Sequence, residues 1–190
     1  MKNNSLDSIS LNVSPRCVND GQSPRRIQEL LDAPDVSPTN LVLELTEDAV
    51  FEDFAYARRL LEDLSKKGIR FALDDFGTGY SNLRALADLP LSYVKLDRSL
   101  VASIETDIRS RTLLGAVVHL AKTLRLDVTA EGVENDFQAM VLRVLGVDRV
   151  QGFLYSKAVP GIEIQALLQS GDKSGAMFQA AAIGRAVGAR

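Results

Sequence analysis

Ile69-Arg70-Phe71-Ala72-Leu73-Asp74-Asp75-Phe76-Gly77-Thr78-Gly79 decides how this chain is read. A short apolar run ends in two consecutive carboxylates, and a glycine-rich turn follows. An apolar run of this length, rich in bulky residues and bounded by a turn signal, reads as a buried strand. The Asp pair then lies at the strand's C-terminal end. The same grammar recurs along the chain. Ile9–Val13, Leu41–Leu45, Tyr93–Leu96, Leu126–Ala130 and Arg149–Leu154 are further strand candidates, short enough for a sheet buried on both faces.

Helical patterns separate these runs. Val50, Phe54, Ala57, Leu60, Leu61 and Leu64 recur at helical spacing as one helix that stops at Gly68, a glycine suited to a C-cap. Leu114, Val117, Val118, Ala121 and Leu124 form a second stripe. Phe137, Met140, Val141, Val144 and Leu145 form a third, ending at Gly146. Shorter helices are expected around Ile27–Leu31 and Ser81–Ala87. Strands alternating with helices imply parallel strands joined by right-handed crossovers, an α/β fold.

Composition narrows the function classes. The chain has 190 residues, 22 Lys plus Arg against 25 Asp plus Glu, and a net charge of −3. That balance argues against a nucleic-acid polymer held on a basic surface. An anionic substrate would need a local cation. Cys17 is the one cysteine, which excludes an internal disulfide and a thiolate zinc cluster. No apolar stretch approaches the length of a membrane span or a signal peptide, so a cytoplasmic location with no membrane partner is expected.

The functional signal is positional. Asn12, Glu44, Asp74, Asp75, Lys95, Glu131 and Gln151 each fall at or just past the C-terminal end of an expected strand. In a parallel α/β barrel those ends share one rim, where active sites are built. Each residue also has a plainer reading. Asp74 and Asp75 could cap a turn. Glu44 and Lys95 lie inside apolar runs, where an unpaired charge is costly, so Lys95 could simply pair with Asp74 or Asp75. Glu47 reads best as a first-turn helix acid, and Glu131 with Glu134 could be loop and helix-start acids. All of them together on one rim are harder to explain away. Carboxylates with an Asn and no His or Cys ligands suit hard cations, Mg²⁺ or Mn²⁺ rather than zinc. A pair of such ions can clamp a phosphodiester and supply a hydroxide.

Asp75-Phe76-Gly77 also occurs in protein kinases, but no glycine-rich loop or catalytic loop accompanies it. His119 sits mid-helix and Cys17 in the first loop; neither is read as functional.

Six motifs carry a family resemblance: NVSPR (12–16), ELTE (44–47), ALDDFGTGYSNL (72–83), VKLDRSLV (94–101), AEGVE (130–134) and QGFLYSKAVP (151–160). Together they resemble the bacterial EAL domain, whose active members are cyclic-di-GMP phosphodiesterases that open the cyclic dinucleotide to linear pGpG with two Mg²⁺ or Mn²⁺ ions. The resemblance implies a TIM-type (β/α) barrel with about six of eight strands present. It implies Asn12, Glu44 and Asp74 as ligands of one metal and Asp74, Asp75 and Glu131 as ligands of the second. Lys95 would hold the attacking water, and Gln151 would belong to the same rim. Glu47 would anchor the loop after DDFG, and Asp97 and Glu134 would support their neighbours.

The family's Glu-Ala-Leu strand precedes NVSPR and supplies a metal-binding Glu, with a phosphate-contacting Arg nearby. No Glu-Ala-Leu occurs in these 190 residues. The expectation is therefore a partial EAL domain over 1–168 with an Ala/Gly-rich tail over 169–190, and little or no turnover by the chain alone. The alternative is a non-catalytic module that binds a protein partner or cyclic di-GMP without hydrolysing it. Two open sheet edges lead to an expected homodimer, or association with a missing N-terminal segment or another signalling domain.

Overall fold

The computed structural model describes residues 8–13, 23–32, 36–51, 53–77 and 83–164. The Cys17 loop, the turn after Gly77 and the 169–190 tail lie outside the described residues. Six strands form one parallel sheet in chain order: β1 (Ile9–Val13), β2 (Leu41–Thr46), β3 (Arg70–Phe76), β4 (Tyr93–Leu96), β5 (Asp127–Ala130) and β6 (Arg149–Val150). The helices are α1 (Ser23–Leu31), α2 (Glu47–Phe51), α3 (Phe54–Ser65), α4 (Leu83–Asp88), α5 (Arg98–Ala102), α6 (Ile108–Thr123) and α7 (Asp136–Val144). Every crossover steps one strand in the same direction. With right-handed connections, this sends every helix to the same face of the sheet.

Register then decides which side chains face the helices. Asn12 pairs with Glu44, Glu44 with Ala72, Ala72 with Tyr93, Lys95 with Thr129, and Thr129 with Arg149. Alternation along each strand puts these residues on one face and their neighbours on the other. The helix-covered face carries Leu43, Leu45, Phe71, Leu73, Val94, Leu96 and Val128, packed with Leu61, Leu64, Val101, Leu114, Val118 and Leu142 into the main core. The inner face has only a small apolar layer, Val42, Ala72 and Tyr93. The Arg70 and Arg149 guanidinium groups lie over the Tyr93 ring, 5.5 and 4.7 Å from its centre. Polar groups occupy the inner face at the C-terminal ends of the strands.

Three expectations change in detail. The helix expected from Val50 to Leu64 is two helices. Asp53 caps the second, accepting from the Tyr56 backbone N–H at 3.0 Å, so a helix start falls inside the apolar stripe. The strand expected over Arg149–Leu154 stops at Val150. Beyond it the chain folds against the segment after β5: Val133 N–H donates to Gln151 O, and Leu154 N–H to Val133 O, both at 3.0 Å. β3 runs on to Phe76 through a bulge. Among the described residues, β1 and β6 have no outer strand partner and the sheet does not close, as the open edges anticipated.

Gly152 marks how tightly the β5 and β6 loops meet. A Cβ there would stand 2.0 Å from Val133 O and 2.3 Å from Val133 N. Backbone cannot retreat from such a contact without breaking the hydrogen bonds beside it. Gly152→Ala is expected to destabilise the fold by at least about 1–3 kcal/mol, read as a lowered urea midpoint with an unchanged slope.

Candidate functional site

Four strand ends bring their side chains to one point on the inner face. Glu44 comes from β2, Asp74 from β3, Lys95 from β4, and Glu131 follows β5, its N–H held by Leu96 O at 3.0 Å. The Lys95 Nζ lies 2.7 Å from Glu44 Oε2, 2.9 Å from Asp74 Oδ1 and 2.8 Å from Glu131 Oε1. The ammonium is thus ion-paired with all three carboxylates and donates a hydrogen bond to Glu44 Oε2. All four residues are buried, between 4% and 9% exposed. Burial pushes the Glu44 carboxyl above its ordinary pKa, against the pull of Lys95 and a hydrogen bond from the Ser10 hydroxyl. Burial alone would lower the Lys95 pKa, but the carboxylates of Asp74, Glu44 and Glu131 outweigh it and hold the ammonium firmly charged.

Asp75 joins this group through a backbone irregularity. Phe71 and Leu73 face the helices, but the next residue to do so is Phe76, and three steps on β3 match two on β4. The extra residue is absorbed by Asp75, which takes a left-handed backbone with φ 55°, a conformation costing a non-glycine residue about 1–3 kcal/mol. Its N–H meets Asp74 Oδ1 at 3.1 Å. Adjacent strand residues normally point to opposite faces. Here one oxygen from each of Asp74, Asp75 and Glu131 comes within 4.8 Å of the others. Burial, then Asp74, Asp97 and Glu131, raises the pKa of Asp75 against the pull of Lys95. Like charges this close are unfavourable unless a cation is shared, and an oxygen-only donor set suits a hard divalent ion.

The remaining expected residues divide. Asn12 lies on β1 opposite Glu44, exposed on the inner face. Gln151 is half-buried, its backbone bonded to Ala130 O and Val133 N. Asp97 caps α5 by accepting from Ser99 N–H at 2.8 Å. Burial works to raise its pKa, but hydrogen bonds from the Ser99 hydroxyl and the Ser99 and Arg98 amides hold it low. Glu134 is exposed, and its backbone N–H donates to Gln138 Oε1 at 2.7 Å. Glu47 opens α2 half-buried, consistent with a first-turn acid, and the loop it was expected to anchor lies outside the described residues. His119 is exposed mid-helix. Sequence reasoning missed Ser10. Its signal was available: it lies two residues before Asn12, on the same strand face.

Comparison with known proteins agrees with this geometry. The EAL domain family model matches residues 1–158. The bifunctional diguanylate cyclase/cyclic di-GMP phosphodiesterase MucR of Pseudomonas aeruginosa is 38% identical over 131 residues, 69% of this chain and 19% of that protein. The solved MucR phosphodiesterase in complex with c-di-GMP superimposes with a TM-score of 0.78 at 34% identity, covering 83% of this chain and 64% of that one. The EAL domain of Mycobacterium smegmatis DcpA gives 0.81 at 36% identity, covering 86% and 74%. Klebsiella pneumoniae BlrP1 has been solved as manganese and calcium complexes with the cyclic dinucleotide. These give TM-scores of 0.72 and 0.73 at 31% and 30% identity, covering 79% of this chain and 38% of that one. The chain spans about a fifth of the length of the curated relatives it matches.

Lys95→Met removes the cation from three buried carboxylates while keeping much of the side-chain volume. Stability measured by urea unfolding in the presence of a chelator is expected to fall by about 3–5 kcal/mol, the cost of stranding buried charge. An unchanged midpoint would mean that the tetrad does not hold this end of the sheet together.

Proposed function

The chain belongs to the EAL domain family, and from that premise we propose that it is a metal-dependent cyclic-di-GMP phosphodiesterase module of bacterial second-messenger signalling. The observation that carries this reading is the convergence of Asp74, Asp75 and Glu131 oxygens within 4.8 Å, beside an ammonium bonded to Glu44, Asp74 and Glu131. The donors are all oxygen, which fits Mg²⁺ or Mn²⁺. In this reading Asn12, Glu44 and Asp74 hold one ion, and Asp74, Asp75 and Glu131 hold the other. Bound ions would supply Lewis acidity toward the phosphodiester and a hydroxide nucleophile at neutral pH.

The chain's own residues have separable tasks. A phosphodiester is an anion, and a rim of four carboxylates repels it unless those charges are neutralised. Lys95 cancels part of that charge and sets the spacing of Glu44, Asp74 and Glu131. Nζ already lies within 2.9 Å of three carboxylates, so a water or phosphate oxygen that reaches it takes the place of one of them. That exchange is how Lys95 would come to hold the attacking water and meet the charge that develops on the phosphoryl oxygens. Gln151 borders the rim, and Asp97 faces Asp75 from the start of α5.

Residues 1–168 form the body of the module in this reading, and it acts in the cytoplasm. No helix among the described residues is long and apolar enough to cross a membrane. Its partners are cyclic di-GMP and, across the edges of β1 and β6 that have no outer strand among the described residues, a second copy or another signalling domain. A second reading, a module that binds without hydrolysis, is favoured by one observation: these 190 residues contain no Glu-Ala-Leu.

One experiment separates the two. The 190-residue chain is titrated with Mn²⁺ in a calorimeter and then assayed for pGpG beside the MucR EAL domain. Mn²⁺ uptake is expected, with turnover about 100-fold or more below the reference, the scale of disturbing a metal site's support. Glu131→Gln should abolish both signals. Uptake and dinucleotide binding with no pGpG at all would establish the second reading, and absence of Mn²⁺ uptake would overturn the first.

A further inference from the structure

We propose that Gln138 is a positioning residue that fixes the Glu131 carboxylate at the rim, acting through the segment Glu131–Glu134; this rests on the metal-centre reading of that rim. Among the described residues, the buried polar side chains are Glu44, Asp74, Lys95, Thr129, Glu131 and Gln138. The first five lie on the inner face of the sheet or directly at its rim. Gln138 alone is on a helix, on the side of α7 that also buries Leu142. A buried amide is costly unless its hydrogen bonds are made, so its presence there calls for a reason.

Its bonds supply one. Gln138 Oε1 accepts from Glu134 N–H at 2.7 Å, and Nε2 donates to Glu105 Oε1 at 2.8 Å. Glu105 follows α5, on the β4 side of the rim, and its Oε1 also accepts from Asn135 Nδ2 at 2.6 Å. Asn135 in turn caps α7 by accepting from Gln138 N–H at 3.0 Å. Glu105, Asn135 and Gln138 therefore tie the loops after β4 and β5 together.

The segment they hold has its backbone secured at both ends and in the middle. Glu131 N–H bonds to Leu96 O, and Val133 bonds through N–H to Gln151 O and through its carbonyl to Leu154 N–H, each at 3.0 Å. Gly132 takes φ 71°, where a Cβ would stand 2.4 Å from Arg98 Cβ. The Gln138 bond to Glu134 closes the C-terminal end. Without it the segment rests on the Leu96, Gln151 and Leu154 bonds alone, and the Glu131 carboxylate is held in a looser seat. Side chains that orient a ligand typically change metal affinity 10- to 100-fold.

The test uses Gln138→Leu, which preserves much of the volume and removes both bonds. Val118→Ala, a buried change on α6, serves as a control for lost stability. Calorimetric Mn²⁺ affinity is expected to weaken roughly 10- to 100-fold in Gln138→Leu. Val118→Ala should lower the melting temperature yet leave affinity within about 2-fold, since distant sites act independently. The double change Gln138→Glu with Glu105→Gln reverses the acid and the amide while keeping the bonds, and should restore the affinity. Parental affinity in Gln138→Leu, or an equal loss in Val118→Ala, overturns the positioning role alone. A parent chain that takes up no Mn²⁺ overturns the metal reading together with this one.

Discussion

A lysine ammonium held by three buried carboxylates is the constraint to which the rest of this structure answers. Each of these charges loses several kcal/mol of hydration when buried, and only close, well-directed partners offset the loss. Lys95 meets Glu44, Asp74 and Glu131 at 2.7–2.9 Å. Those acids come from three different strand ends. The tetrad therefore forms only when β2, β3, β4 and the start of the β5 loop are in register. A one-residue slip in any strand would turn its charged group toward the helix-covered core.

The sheet provides that register at low cost because its two faces do different work. The helix side carries Phe71, Leu73, Val94, Leu96 and Val128, all fully buried, and supplies the apolar drive for folding. The inner face is then free to hold charge. Its apolar layer of Val42, Ala72 and Tyr93 separates the acidic rim from the Arg70 and Arg149 groups stacked on Tyr93. Charge and apolar burial are thus assigned to opposite sides of the same strands, the division used by barrels whose chemistry sits at strand C-termini.

Much of this was legible from residue patterns. Five of the six strands were located nearly in place, because short apolar runs between helical stripes admit few other readings. Glu44 and Lys95 stood out because a charge inside an apolar run must find a partner, and the partner named for Lys95 included Asp74. The Val50–Leu64 stripe concealed a break at Asp53, since a capping acid and a solvent-facing acid look alike in one dimension. Arg149–Leu154 looked like a longer strand because nothing in it shows that Gly152 meets the Val133 backbone. Ser10 and Gln138 went unremarked: a hydroxyl or an amide acquires meaning only from what it touches.

The order of elements, the parallel α/β architecture and the placing of acids at strand ends were determined by the sequence itself, because hydrophobic periodicity and turn chemistry act over a few residues. The tertiary structure alone decided which of those acids meet. Asp75 shares a rim with Asp74 only because a bulge against β4 and a left-handed backbone turn it there. Glu131 reaches Lys95 only because its segment is bonded to Leu96, Gln151 and Gln138 across gaps of 4 to 35 residues. Distances of a few ångström between residues far apart in the chain follow from packing, and packing is settled only when the whole sheet is assembled.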